Sequence, residues 1–181
     1  SVKTTASIAP ISSCLSASQT PRVSEKLLDA PGPEGPLKGS LLTPNSKPTA
    51  VVLIVPGSGP TDRDGNNPPG INASPYRLLA DGLAPQGFAT LRIDKRGMFA
   101  SSAAVEDANA VTIADYVDDV RAWINVLKHE MQTHCIWIMG HSEGGLVALA
   151  TALEEDVCGV LLIATPGRPM GEVLREQLNA N

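Results

Sequence analysis

Ser142 stands inside Gly140-His-Ser-Glu-Gly144, a G-x-S-x-G pattern with a glycine two residues away on each side of a hydroxyl. A serine hydroxyl is a weak nucleophile until the backbone presents it and a base takes its proton. The pattern meets the first need. A tight, strained turn pushes the side chain outward, and any side chain at 140 or 144 would strike the neighbouring strand or helix. The flanks agree with such a turn. Cys135-Ile-Trp-Ile-Met139 reads as a buried strand, and Gly144 to Leu153 as a helix with small residues near its start, Gly145 among them. A helix that begins beside Ser142 aims its free N–H groups at negative charge developing there.

Attack by a serine on an acyl carbon creates an oxyanion, which needs two hydrogen-bond donors. One is expected from the backbone N–H of Glu143, directly after the serine. The other is assigned to the N–H of Ser58 in Pro56-Gly-Ser-Gly-Pro60, with Gly57 or Gly59 as one-residue alternatives. Glycine there lets the backbone approach a tetrahedral intermediate closely. Gly57-x-Gly59 lacks the Lys-Ser/Thr of a phosphate loop and the third glycine of a dinucleotide fingerprint, so both of those readings are set aside. Asp62, Arg63 and Asp64 follow in the same loop. Their functional reading is loop bracing or contact with a polar substrate end, and it stands level with the reading of a solvated loop.

The elements that must position these groups follow from hydrophobic pattern. Ala50-Val-Val-Leu-Ile-Val55 is continuously apolar and mostly β-branched, a strand buried on both faces. Ser74-Pro75 opens a helix, with Ser74 expected as N-cap, and Gly87 ends it. Phe88 to Ile93 is a second central strand, followed by the loop Asp94-Lys-Arg-Gly97. Thr112 and Asp115 form a capping box ahead of Ile113, Tyr116, Val117, Val120, Ile124 and Leu127, which recur at helical spacing. Val157 to Ala164 is a further strand. Leu37 to Leu42 is a shorter one, expected at a sheet edge because prolines surround it. Strands alternating with helices predict an α/β fold, a mostly parallel sheet with helices on both faces. Ligands then bind beyond the carboxyl ends of the strands, where the loops named above converge.

Composition sets the outer bounds. The chain has 181 residues, 43% apolar and 18% charged, with a net charge of −5. That is a globular composition, and the acidic balance speaks against a nucleic-acid partner. No apolar run approaches the ~20 residues of a membrane span. Cys14, Cys135 and Cys158 show no metal-ligand spacing. They are expected as two buried thiols and one loose tail thiol, with one disulfide left open. Residues 1–30 read as a polar leader, loosely ordered. Their Ser, Thr and Ala content and the non-methionine start slightly favour export.

Three segments together resemble a known group. Pro56-Gly-Ser-Gly-Pro-Thr-Asp-Arg-Asp-Gly-Asn66, Asp94-Lys-Arg-Gly97 with Ser101, and Gly140-His-Ser-Glu-Gly-Gly145 resemble, in order and spacing, bacterial carboxylesterases of the α/β-hydrolase superfamily, related to its serine aminopeptidase branch. The resemblance covers roughly residues 35 to 170. It implies hydrolysis of small acyl esters without a cofactor or metal. It also implies a helical cap after the strand at 157–164. Residues 31–168 would be the nucleophile-bearing part of the core, and 169–181 the start of the cap, with Gly171 to Asn179 as its first helix. Phe99 and Ala100 depart from the group, which has a glycine nearby, so the shape of this loop is open.

A hydrolase of this type needs an acid and then a histidine after the serine in chain order. The histidines here are His129, His134 and His141. The first two precede the strand whose far end carries Ser142, about 20 Å away along extended chain; they read as surface imidazoles. His141 adjoins the serine but leaves the turn in another direction and reads as packed against neighbouring loops. The fold is therefore expected to be incomplete in this chain, with its cap and last strands absent. The acid and base would come from a segment beyond residue 181 or a second polypeptide. Peptide or thioester cleavage is the neighbouring alternative, and a non-catalytic binding protein of the same fold is the distant one.

Overall fold

The computed structural model describes residues 23–68, 70 and 72–179. The run Ala50–Val55 forms β3, and its alternation explains the layering. Val51, Leu53 and Val55 point to one face and join the larger core cluster, with Trp123, Ile124, Leu127, Val147 and Ala148. Val52 and Ile54 point to the other face and pack with Tyr76 and Met139. A strand apolar on both faces is thus sandwiched between helices, as its composition requires.

The remaining strands are β1 (Val23–Ala30), β2 (Leu37–Pro44), β4 (Phe88–Ile93), β5 (Trp137–His141) and β6 (Gly159–Ile163). They form one sheet in the order β1-β2-β4-β3-β5-β6. β4, β3, β5 and β6 are parallel, and β1 and β2 join antiparallel. Helix α1 (Pro75–Leu83) connects β3 to β4. Helix α2 (Ile113–Glu130) connects β4 to β5, and α3 (Glu143–Ala152) connects β5 to β6. The path from β3 to β4 runs one way along the sheet, whereas β4 to β5 to β6 runs back past β3. Right-handed crossovers then put α1 on one face and α2 and α3 on the other. The reversal falls between β3 and β5, the place where open α/β sheets leave a crevice.

Local signals held at several ends. Thr112 and Asp115 make the reciprocal capping box of α2. Gly87 closes the turn after α1 at φ 86°, a conformation suited to glycine. Ser74 precedes α1, but its side chain does not cap it. The residue sits at φ 46°, and its N–H and Oγ both donate to Asn66 Oδ1. Ser74 therefore ties α1 to the preceding loop.

Three expectations need correction. β2 is not an edge strand, because residues 23–30, assigned to the polar leader, form β1 and pair along its whole length. The prolines that suggested an edge lie before β2, at its last residue or beyond it, where no ladder donor is needed. The third concerns Cys135 and Cys158, which are a disulfide with Cα atoms 5.1 Å apart and not buried thiols. Parallel pairing of β5 with β6 brings the two approaches to these strands side by side. Cys14 lies outside the described residues. The bridge closes a loop with a sequence separation of 23 residues around α3. Replacing both cysteines with serine is expected to lower unfolding stability by about 3 kcal/mol, read as a lower urea midpoint with a steeper slope, since the unfolded chain is released from its cross-link.

Candidate active site

Ser142 lies between the end of β5 and the start of α3 at φ 52°, ψ −119°. A non-glycine residue adopts such a conformation only when its surroundings impose it. Those surroundings are visible. A Cβ on Gly140 would overlap the backbone of Gly144 and Gly145, and one on Gly144 would overlap the carbonyls of Val55 and Pro56. The turn is pressed between its own helix and β3. The Ser142 N–H donates to the carbonyl of Ile163 at 2.8 Å, which anchors the turn to β6. Glu143 is the first residue of α3, so its N–H belongs to the free amino-terminal turn of that helix.

The loop after β3 passes directly over this turn. A Cβ on Gly57 would lie 3.3 Å from the Cβ of Ser142. Both polar groups of Gly57 are taken. Its N–H reaches the hydroxyl of Tyr76 at 3.4 Å, and its carbonyl accepts from Lys95 Nζ at 2.7 Å. Gly57 is buried while Ser58 is exposed. Of the one-residue alternatives, Gly57 is removed because its N–H is engaged. Tyr76 also shares a proton with His141 Nδ1 at 2.7 Å, and the two rings meet edge to face. Burial pushes the Tyr76 hydroxyl above the usual phenol range, so it keeps its proton. His141 is thus held against Tyr76 of α1 and lies beside Gly57 of the loop after β3. His129 and His134 are exposed at the opposite end of the sheet.

The charges of the loop after β3 brace it. Arg63 Nε and NH2 donate to the carboxylate of Asp94 at 3.0 and 2.6 Å, and the Arg63 N–H donates to the other oxygen at 2.8 Å. Arg63 NH1 adds Ser40 Oγ on β2 at 3.0 Å. Asp62 accepts from the N–H groups of Asp64 and Asn66 within its own loop. Asp64 and Glu25 pair with the guanidinium of Arg92, which is fully buried in β4. Desolvation draws Arg92 below its ordinary range, and Glu25 opposes this. Of the three readings for this triplet, bracing describes the contacts. The Asp94 side chain is 3% exposed, so removing its partner leaves a buried charge. Arg63→Met is expected to destabilise the protein by on the order of 3–5 kcal/mol, measured by denaturant unfolding.

The loop after β4 completes the floor. Arg96 grips Asp119 of α2 through Nε and NH2 at 2.8 and 2.6 Å and adds Asp115. Ser101 is fully buried, donates to the carbonyl of Asp94 and accepts from the N–H of Lys38. Phe99 sits at φ 46°. Two residues after Gly97 at φ 76°, Phe99 is thus a second left-handed residue, and the departure from the resembled group appears as backbone strain at Phe99. Lys95 and Tyr76 are the site residues that sequence reasoning missed. Their partners are a backbone group 38 residues away and a ring 65 residues away, and no local spacing encodes either.

Solved structures with a similar fold include a dienelactone hydrolase from Anabaena variabilis, 25% identical with a TM-score of 0.64 over 79% of this chain and 64% of that one. A thermostable carboxyl esterase from Bacillus coagulans is 21% identical with a TM-score of 0.66 over 87% of this chain and 50% of that one. The fold is that of the α/β-hydrolases. Residues 70–176 match the family profile described as serine aminopeptidase, S33, and the chain belongs to that family. Esterase EstD from Thermotoga maritima is 30% identical over 146 residues, which are 78% of this chain and 33% of that protein. The chain thus spans about a third of the curated relative it matches. Among the described residues, no helix is long and apolar enough to cross a membrane.

Proposed function

We propose that this chain carries the nucleophile half of a serine carboxylesterase acting on small acyl esters. Ser142 Oγ attacks the acyl carbon, and a base takes the hydroxyl proton. The N–H groups of Ser58 and Glu143 hold the oxyanion. Collapse of the tetrahedral intermediate breaks the bond to the alcohol, which leaves with that proton. Water then attacks the acyl-enzyme, and Ser142 regains its proton as the acid is released. The acid and histidine come from sequence outside residues 1–181, because His129 and His134 lie at the wrong end of the sheet and His141 is bound to Tyr76. Helix α4 (Met170–Asn179) is read as the start of a cap over the site, with residues 31–168 as core.

The observation that carries this reading is the backbone of Ser142, held at φ 52°, ψ −119° by glycines that leave no room for another arrangement. Structural strain of this kind at a serine between strand and helix is what a nucleophile turn requires. A fluorophosphonate probe followed by peptide mass mapping tests it on the full-length protein. Modification confined to Ser142, with turnover of short-chain p-nitrophenyl esters, is the expected result. A folded protein that takes no probe would refute it and favour a binding role. The family description raises one second reading, release of an amino-terminal residue through the same acyl-enzyme. Faster turnover of aminoacyl amides than of matched esters would establish that reading instead.

A further inference from the structure

Lys95 follows β4 and is buried at 6% exposure, an unusual setting for an ammonium group. Its Nζ donates to the Gly57 carbonyl at 2.7 Å, lies 3.8 Å from the Glu143 carboxylate and 5.3 Å from the centre of the Tyr116 ring. Burial pulls its pKa down while Glu143 pushes it back up. None of these contacts is needed to hold β4 in the sheet. What they share is that each touches a segment bearing a proposed oxyanion donor, or supports the charge that does so.

The peptide joining Gly57 to Ser58 is planar and trans, so its carbonyl and its N–H point in opposite directions. Fixing the Gly57 carbonyl on Lys95 therefore fixes where the Ser58 N–H points. The Tyr76 hydroxyl holds the preceding N–H and prevents Gly57 from rotating to compensate. Among the described residues the Ser58 N–H has no protein partner. A cation on the carbonyl oxygen also draws electron density through the amide and strengthens the N–H as a donor. We infer that Lys95 is the positioning residue of the oxyanion site, turning the Gly57–Ser58 peptide so that its N–H faces the acyl oxygen above Ser142. The inference rests on the esterase reading, but it makes a structural claim that can be judged apart from it.

The test compares Lys95→Met with Lys95→Gln in the full-length protein. Methionine keeps the length and apolar stem but cannot donate, whereas glutamine retains one neutral donor. In Lys95→Met, kcat on p-nitrophenyl acetate is expected to fall about 10²–10³-fold, the loss typical of one oxyanion donor, with KM changed less than about threefold. Affinity for an alkyl boronic acid, which forms a tetrahedral adduct on the serine, should fall in parallel with kcat. Lys95→Gln should recover at least about tenfold of the loss, and it serves as the informative variant where methionine unfolds the protein. A residue that merely fills space would lower stability and leave the kcat-to-KM split and the boronate affinity unchanged; that outcome overturns the inference. Crystal structures of the variants give a readout independent of activity. A Gly57 carbonyl that keeps its direction without the lysine also overturns it, and a flipped peptide supports it. If the native protein neither takes the fluorophosphonate nor turns over esters, the esterase reading fails, and the peptide orientation alone decides the role of Lys95.

Discussion

Ser142→Ala is expected to lower ester turnover by about 10⁴–10⁶-fold and to abolish fluorophosphonate labelling, while leaving thermal stability nearly unchanged. Alanine keeps the Cβ, so the strained turn stays as strained as before. Ser142→Gly separates the two roles of the position. It removes the hydroxyl equally, but glycine adopts φ 52° without steric penalty. Strain at such positions is worth about 1–3 kcal/mol. Glycine loses about 0.5–1 kcal/mol of that through its greater freedom in the unfolded chain. Relief therefore wins, and Ser142→Gly should be the more stable variant by about 1 kcal/mol, read from matched urea curves. An alanine variant that retains turnover would end the nucleophile assignment. A glycine variant that is less stable than alanine would show that the turn is not strained.

Gly144→Ala should be, with Gly140→Ala, among the most damaging single methyl groups in the site. Its Cβ would meet the carbonyl oxygens of Val55 and Pro56, which belong to β3 and the start of the loop that bears Gly57. Backbone cannot rotate away as a side chain can, so α3 must lift from the sheet. A loss of about 3 kcal/mol, the upper part of the overpacking range, should accompany at least about a hundredfold fall in turnover, because a shift of the order of 1 Å at the nucleophile has that effect. Gly82→Ala is the control within the same molecule. Gly82 lies inside α1 with open space where the Cβ would go. There alanine should stabilise by about 0.5–1 kcal/mol through helix propensity alone. Equal effects of the two substitutions on stability would show that α3 does not press on β3.

The parts of this fold that were legible from sequence are those with a strong local signature. β3 declared itself by six consecutive apolar residues, α2 by its capping box and helical spacing, and the Ser142 turn by paired glycines between a strand and a helix. β1 was hidden because only Leu28 and Ala30 of its eight residues are buried, so the strand carries no apolar alternation to read. The disulfide could have been inferred one step later. Once strands starting near 136 and 158 are taken as parallel neighbours, the cysteines just ahead of them must adjoin. The Ser58 and Glu143 N–H groups were chosen by the logic of the turn, and the structure leaves both compatible with that choice. Tyr76 and Lys95, which hold the two polar groups of Gly57, were illegible because each contact is to a backbone atom, and a backbone atom leaves no mark on the residue type at its position.

The way Gly57 is held has a consequence for how this site can change. Both polar groups of Gly57 are gripped by side chains from distant elements, α1 and the loop after β4. Residue 58 contributes its backbone, while its side chain is exposed and plays no part in keeping the loop in place. Scaffold and surface are thereby separated at a single position in the loop that passes over Ser142. New side chains at 58 can change the surface beside the Ser142 turn without disturbing the held Gly57 peptide, which makes the position a safe first site for randomisation.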